Sequence, residues 1–292
     1  MTFNGVGTAL ITPFQPGGAF DEAAFIRFVE WQIAEGINFL VPCGTTGENP
    51  ALTPEEHKRV VELTVKTANG RVPVLAGAGA NNTPRAVELA RLAVDLGADG
   101  ILTITPFYNK PTPDGLLRHF SAQAEAVEAM KPGFPMIMYN VPGRTGLNMT
   151  AETTLRMARE IPNIAGVKEA SANMEQILTI LRDRPKGFAV LSGDDAWTLP
   201  LLGCGADGLV SVASNEVPRL MVEMVKTRSR EIHERLLPLL IGNFIESNPG
   251  PVKAAMKMMG ILENDTLRPP LAPMTDANRA KLAAILRECG LA

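Results

Sequence analysis

Cysteine is scarce in this chain. Cys43, Cys204 and Cys289 are its only three, they show no CxxC spacing, and an odd number cannot all pair. Neither a disulfide framework nor a cysteine-held zinc is expected, and cytosolic thiols are the simpler reading. Histidine is equally sparse: His57, His119 and His233 lie far apart, without the spacing that sets two ligands on one helix face, so no catalytic metal is expected. Excess basic charge is missing too. With 28 Lys and Arg against 31 Asp and Glu, the net charge is -3 and the pI about 5.8. Such a balance creates no field that would draw the chain onto nucleic acid or an anionic membrane, and neither is expected as a partner. No uninterrupted apolar run is long enough to span a bilayer, and the opening MTFNGVGTALITPF lacks the basic-then-apolar build of a secretory signal. A cytoplasmic location is therefore expected.

What is present describes a foldable chain with a large core: 46% of its residues are hydrophobic and 20% charged. Short β-rich runs alternate with longer amphipathic segments, the pattern of βα units feeding a parallel sheet. The strand candidates are Val6 to Thr12, Phe39 to Pro42, Val72 to Ala76, Gly100 to Thr105, Pro135 to Tyr139, Ile164 to Lys168, Ala189 to Ser192 and Gly208 to Val212, eight in all. Between them Asp21 to Ala34, Pro54 to Ala68, Thr83 to Leu96 and Asp114 to Met130 read as helices, and Gly36, Gly97 and Gly205 read as helix stops. Eight units in series, with no glycine-rich phosphate fingerprint after the first strand, favour a closed barrel over a doubly wound open sheet. The expected fold is α/β, a (β/α)8 TIM barrel over residues 1–225 with a small C-terminal helical extension over 226–292. After about Ser214 the strand signal disappears, and Arg219 to Leu240, Pro251 to Met259 and Asp276 to Leu286 read as helices.

Chemistry in such a barrel sits where strands run into loops at their carboxyl ends. Strand two ends in Cys43-Gly44-Thr45-Thr46-Gly47-Glu48, where adjacent hydroxyls beside free N–H groups could hold a carboxylate or simply cap the next helix. Strand four ends in an aromatic pair, Phe107-Tyr108, held between prolines; strand five in Tyr139, with Arg144 a few residues on. A phenol can relay protons and a guanidinium can grip a carboxylate, although Tyr139 could equally be core and Arg144 a surface ion pair. Strand six carries the sharpest signal, a lysine, Lys168, closing an otherwise apolar run. A dry interior disfavours an ammonium, and a neutral amine is the nucleophile that forms an imine with a ketone. The alternatives are a snorkelling lysine or one paired with Glu169. After strand seven, Asp194 and Asp195 could bind an amine or cap the helix containing Trp197, and capping is the favoured reading.

The motifs GTTGEN (44–49), YNVPGRTG (139–146), GVKEAS (166–171) and SGDDA (192–196) together resemble the dihydrodipicolinate synthase/N-acetylneuraminate lyase family. The resemblance runs from GVGTALITPF (5–14) to NPGPVKAAM (248–256) and DTLRPPLAPM (265–274). It implies a Schiff-base lyase that condenses pyruvate with aspartate β-semialdehyde on the route to diaminopimelate and lysine, with no cofactor beyond the covalent imine. By the family's pattern, Lys168 forms the imine, while Thr45, Tyr139 and Tyr108 relay protons. Tyr108 would be supplied from a neighbouring subunit of a homotetramer, a dimer of dimers. Thr46 would hold the pyruvate carboxylate and Arg144 that of the semialdehyde, and Gly193 and Val210 complete the implied substrate-binding set. A sugar-acid aldolase of the same family would keep Lys168 and Tyr139 but vary the second hydroxyl of the Thr45/Thr46 pair and the loop carrying Arg144. A non-catalytic keto-acid-binding barrel would need a broken set, whereas this one is intact.

One departure from the family pattern concerns regulation. Many relatives are inhibited by lysine at a dimer-interface site built with a carboxylate, a histidine and an aromatic hydroxyl. Here the matching positions carry Arg85, Pro54 and Phe107, with Asn81 and His57 retained, so weak or absent inhibition is expected.

Overall fold

In the computed structural model, which describes residues 3–292, eight parallel strands form one sheet: β1 (Gly5–Ala9), β2 (Phe39–Val41), β3 (Leu75–Gly77), β4 (Gly100–Ile104), β5 (Met136–Asn140), β6 (Ile164–Glu169), β7 (Ala189–Ser192) and β8 (Gly208–Ser211). The hydrogen-bonded order runs β2-β1-β8-β7-β6-β5-β4-β3. A parallel bridge between Leu40 and Val74 then joins the two ends, with Leu40 N–H donating to Pro73 O at 2.9 Å and Gly77 N–H to Pro42 O at 2.9 Å. The sheet is thus a TIM barrel, as the eight-unit count predicts.

Alternation along each strand separates two apolar layers. On β5, Ile137 and Tyr139 point into the barrel among Val41, Leu102, Leu191 and Val210, whereas Met136 and Met138 face the surrounding helices. That helical ring begins with α1 (Glu22–Ala34), α2 (Pro54–Ala68), α3 (Thr83–Asp95), α4 (Pro113–Glu128) and the single turn α5 (Pro142–Thr145). It continues with α6 (Ala151–Glu160), α7 (Met174–Asp183) and α8 (Asp195–Gly203). Their starts are chemically marked. Thr53 and Glu56 form a reciprocal capping box on α2, and Asn82, Thr112 and Thr150 cap α3, α4 and α6 through their side chains. Gly36, Gly97 and Gly205 take positive φ just beyond α1, α3 and α8, the left-handed stop their positions predict.

Three expectations need correction. The third strand is Leu75–Gly77 and not Val72 to Ala76. The first strand ends at Ala9, not Thr12, because side chains take over the hydrogen bonding: Ile11 N–H donates to Asn215 Oδ1 at 3.0 Å and Thr12 Oγ1 to Gly47 O at 2.7 Å. The stretch from Arg219 to Leu240 is two helices, α9 (Pro218–Thr227) and α10 (Arg230–Gly242). Arg228 turns left-handed at φ 54° between them, and Ser229 caps the second by accepting from Ile232 N–H. Two further helices, α11 (Gly250–Met258) and α12 (Asp276–Glu288), follow, and the segment entering α11 returns to the barrel mouth.

Candidate active site

The strand register brings the two main candidate groups side by side. Tyr139 on β5 pairs with Lys168 on β6, both point inward, and Lys168 Nζ lies 4.1 Å from the centroid of the Tyr139 ring. Lys168 is only 6% exposed, so it does not snorkel to solvent. Nor does it pair with Glu169. That neighbour faces the opposite side of the strand, accepting from Asn140 Nδ2 at 3.1 Å, Ser171 N–H at 2.8 Å and Gln176 Nε2 at 3.1 Å. Burial pushes the Glu169 carboxyl up from its ordinary range, and those hydrogen bonds partly offset the shift.

Gly193, after β7, leaves the space in which the lysine stem lies. A Cβ there would stand 2.6 Å from the Ala170 Cβ and 3.1 Å from the Lys168 Cε, so any larger residue would crowd the amine. From the other side of the mouth come Thr45 and Thr46, in the loop after β2. The helix-capping reading of this pair fails, because Thr53 caps α2. Thr46 is instead buried, and its Oγ1 accepts from Asn248 Nδ2 at 2.9 Å. Lys168, Tyr139, Thr45, Thr46, Arg144, Gly193 and Val210 all line one cavity of about 440 Å³. Tyr139 is therefore both core and cavity wall, and the exposed Arg144 faces the same space.

Tyr108 is the exception. It is 88% exposed, stands at φ 71°, and does not line this cavity, although its neighbour Phe107 does. The aspartates also divide their roles. Asp194 caps α8, accepting from Ala196 and Trp197 N–H, whereas Asp195 is no cap: its buried carboxylate accepts from Ser211 Oγ, Val212 N–H and Ala213 N–H, fixing the end of β8.

The cavity continues outward past Asn49, His57 and Arg85. His57 Nδ1 lies 2.7 Å from Asn49 Oδ1, and burial first, then the Arg85 guanidinium, pushes the imidazole down to about 4. Arg85 itself bonds Glu88 at 3.0 Å. No group of three or more His, Cys, Asp or Glu side chains able to hold a metal ion occurs among the described residues, and no helix there is long and apolar enough to cross a membrane.

Sequence reasoning missed two contributors. Asn248, inside a motif quoted only for its resemblance, lines the cavity. Lys253 and Glu48, 205 positions apart, form a buried ion pair, with Lys253 also donating to Thr266 O at 2.9 Å and Glu48 accepting from Arg268 N–H at 3.0 Å. A lysine within the apolar helix PVKAAM is the one local signal that could have flagged the pair.

The profile of the Dihydrodipicolinate synthetase family matches residues 2–289. The chain is 50% identical to the 4-hydroxy-tetrahydrodipicolinate synthase of Koribacter versatilis, over all of this chain and 97% of that one. Among solved structures, the dihydrodipicolinate synthase of Aquifex aeolicus superposes with a TM-score of 0.94 at 42% identity, covering 99% of each chain. That of Cyanidioschyzon merolae with lysine bound superposes at 0.94 with 38% identity, again covering 99% of each. On this evidence, with a lysine at the end of the sixth barrel strand and a tyrosine beside it, the chain belongs to the dihydrodipicolinate synthetase family.

Proposed function

We propose that the protein is a Schiff-base lyase, a 4-hydroxy-tetrahydrodipicolinate synthase, which condenses pyruvate with aspartate β-semialdehyde. The observation that carries the reading is the buried Lys168 amine beside the Tyr139 ring in a cavity also lined by the Thr45–Thr46 hydroxyls and by Arg144.

In this reading the Lys168 amine adds to the pyruvate ketone and water leaves, giving an imine. Loss of a methyl proton makes an enamine, whose carbon attacks the aldehyde. The substrate's own amine then adds to the imine carbon, closes the ring and expels Lys168. Each of these steps moves a proton, which calls for a relay: Tyr139 beside the imine and Thr45 on the facing loop are two members, and Tyr108 of a second copy the third. Thr46 and its loop N–H groups take the pyruvate carboxylate, Arg144 takes that of the semialdehyde bidentately, and Gly193 and Val210 shape the pyruvate end. The lysine itself activates the ketone, so the chemistry calls for neither metal nor organic cofactor. The barrel, residues 1–225, would carry this chemistry, and the helical extension, 226–292, would brace it.

The test is substrate choice. Initial rates with pyruvate plus aspartate semialdehyde should exceed those with pyruvate plus N-acetylmannosamine by orders of magnitude, since Arg144 offers a carboxylate partner that a neutral sugar cannot use. Preferential turnover of the sugar would move the protein to the sugar-acid aldolases of the same family.

A further inference from the structure

Asn248 lies 202 positions from Thr46 in sequence, yet the one hydrogen bond its side chain makes among the described residues runs to the Thr46 hydroxyl, Nδ2 to Oγ1 at 2.9 Å. Both residues are buried and both line the cavity that holds Lys168. The amide's other end, Oδ1, is buried without a partner among the described residues. An asparagine present only to hold the fold would be expected to use both ends, because an unmet buried carbonyl destabilises. The side chain is committed to a single contact, on a hydroxyl at the cavity wall.

The direction of that contact matters. A hydroxyl has one hydrogen and two lone pairs. With Asn248 Nδ2 donating into Oγ1, one lone pair is occupied and the Thr46 hydrogen remains free to donate elsewhere. An anion in the cavity would then meet a donor held in place before it arrives, which lowers the cost of ordering it. The loop is restrained close by, since the Glu48–Lys253 ion pair ties the same two segments together two residues beyond Thr46 and five beyond Asn248.

We infer that Asn248, contributed by the C-terminal helical extension, is a positioning residue for pyruvate: it orients the Thr46 hydroxyl as a donor to the substrate carboxylate. The inference rests on the pyruvate reading of the cavity and adds a residue to it.

The expected signature is a split between constants. Asn248→Ala should raise KM for pyruvate on the order of tenfold, the scale of one hydrogen bond to a charged group, with kcat and KM for the semialdehyde changed less than about threefold. In a Thr46→Val background the same substitution should add nothing, because the group it orients is gone. Asn248→Asp, nearly isosteric, keeps the measurement available should the alanine variant fail to fold. Its carboxylate would reverse the hydrogen bond and repel the substrate, so its pyruvate KM should rise at least as far. Unchanged pyruvate KM in the aspartate variant, a fall in kcat alone, or effects that multiply with Thr46→Val would overturn the inference. Borohydride trapping of pyruvate on the unaltered protein serves as the control: trapping without an Asn248 effect removes this inference alone, and no trapping removes the pyruvate reading with it.

Discussion

Arg85 sets the sign of the field at the outer end of the cavity, where its guanidinium and the neutral His57 share the wall with Asn49. Glu88 pairs with Arg85, but Glu88 is largely exposed and Arg85 partly so, and such a pair leaves much of the cationic character in place. Glu48, another carboxylate near this end, is engaged by Lys253 and the Arg268 N–H. A doubly aminated ligand such as lysine therefore meets a cation at this end of the cavity. Initial rates with pyruvate near its half-saturation level should fall by less than half at about 1 mM lysine, an affinity no tighter than about 4 kcal/mol. Saturable inhibition at sub-millimolar lysine would show that Arg85 does not disable the site.

Single residues were also the most legible level of the sequence. A lysine after an apolar run is costly wherever it falls, which is why Lys168 stood out without any fold. The chain has only two tyrosines, Tyr108 and Tyr139, and both fall in strand-end loops or tips. Asn248 had no such signal. An asparagine before a proline reads as a turn, and its role depends on a partner 202 positions away that only the folded chain brings close.

At the scale of elements, the mouth of the barrel is braced from outside by the C-terminal helices. The Glu48–Lys253 pair is buried, with Lys253 stacked 4.4 Å above the Phe14 ring and Arg268 4.2 Å from the same centroid. Breaking one partner of a buried pair costs roughly 3–5 kcal/mol, because the other charge stays behind unpaired. Lys253→Met should accordingly lower the unfolding midpoint by about 10 °C in calorimetry, and adding Glu48→Leu should restore part of the loss. A shift within about 1 °C would mean that the pair contributes nothing to holding the extension on the barrel. Element type was readable because caps and period agree, as at Thr53 and Glu56 on α2. Boundaries were less so: Arg228 adopts a left-handed turn that its sequence does not announce, and Asn215, just past the neighbouring strand β8 but 204 positions along the chain, ends β1.

At the scale of the molecule, one aromatic is out of place. Tyr108 stands 88% exposed in a left-handed backbone conformation, a posture that costs of order 1 kcal/mol and persists only where something gains by it. A second copy that receives the phenol into its own cavity would account for both. The protein should therefore be at least a dimer of its 31.3 kDa chain in light scattering, and Tyr108→Phe should lower kcat by about 10²-fold, typical of losing a proton-relay group, without dissociating it. Full activity in a monomeric sample would contradict the shared site.

If the Lys168 amine forms the covalent link to substrate, reduction of the protein with borohydride in the presence of pyruvate will fix that link permanently. Mass spectrometry of the intact chain and of its peptides should find one pyruvate-derived adduct per chain, on Lys168, and none after Lys168→Ala. Undiminished labelling of the Lys168→Ala variant, or an adduct on another lysine in the unaltered protein, would contradict it.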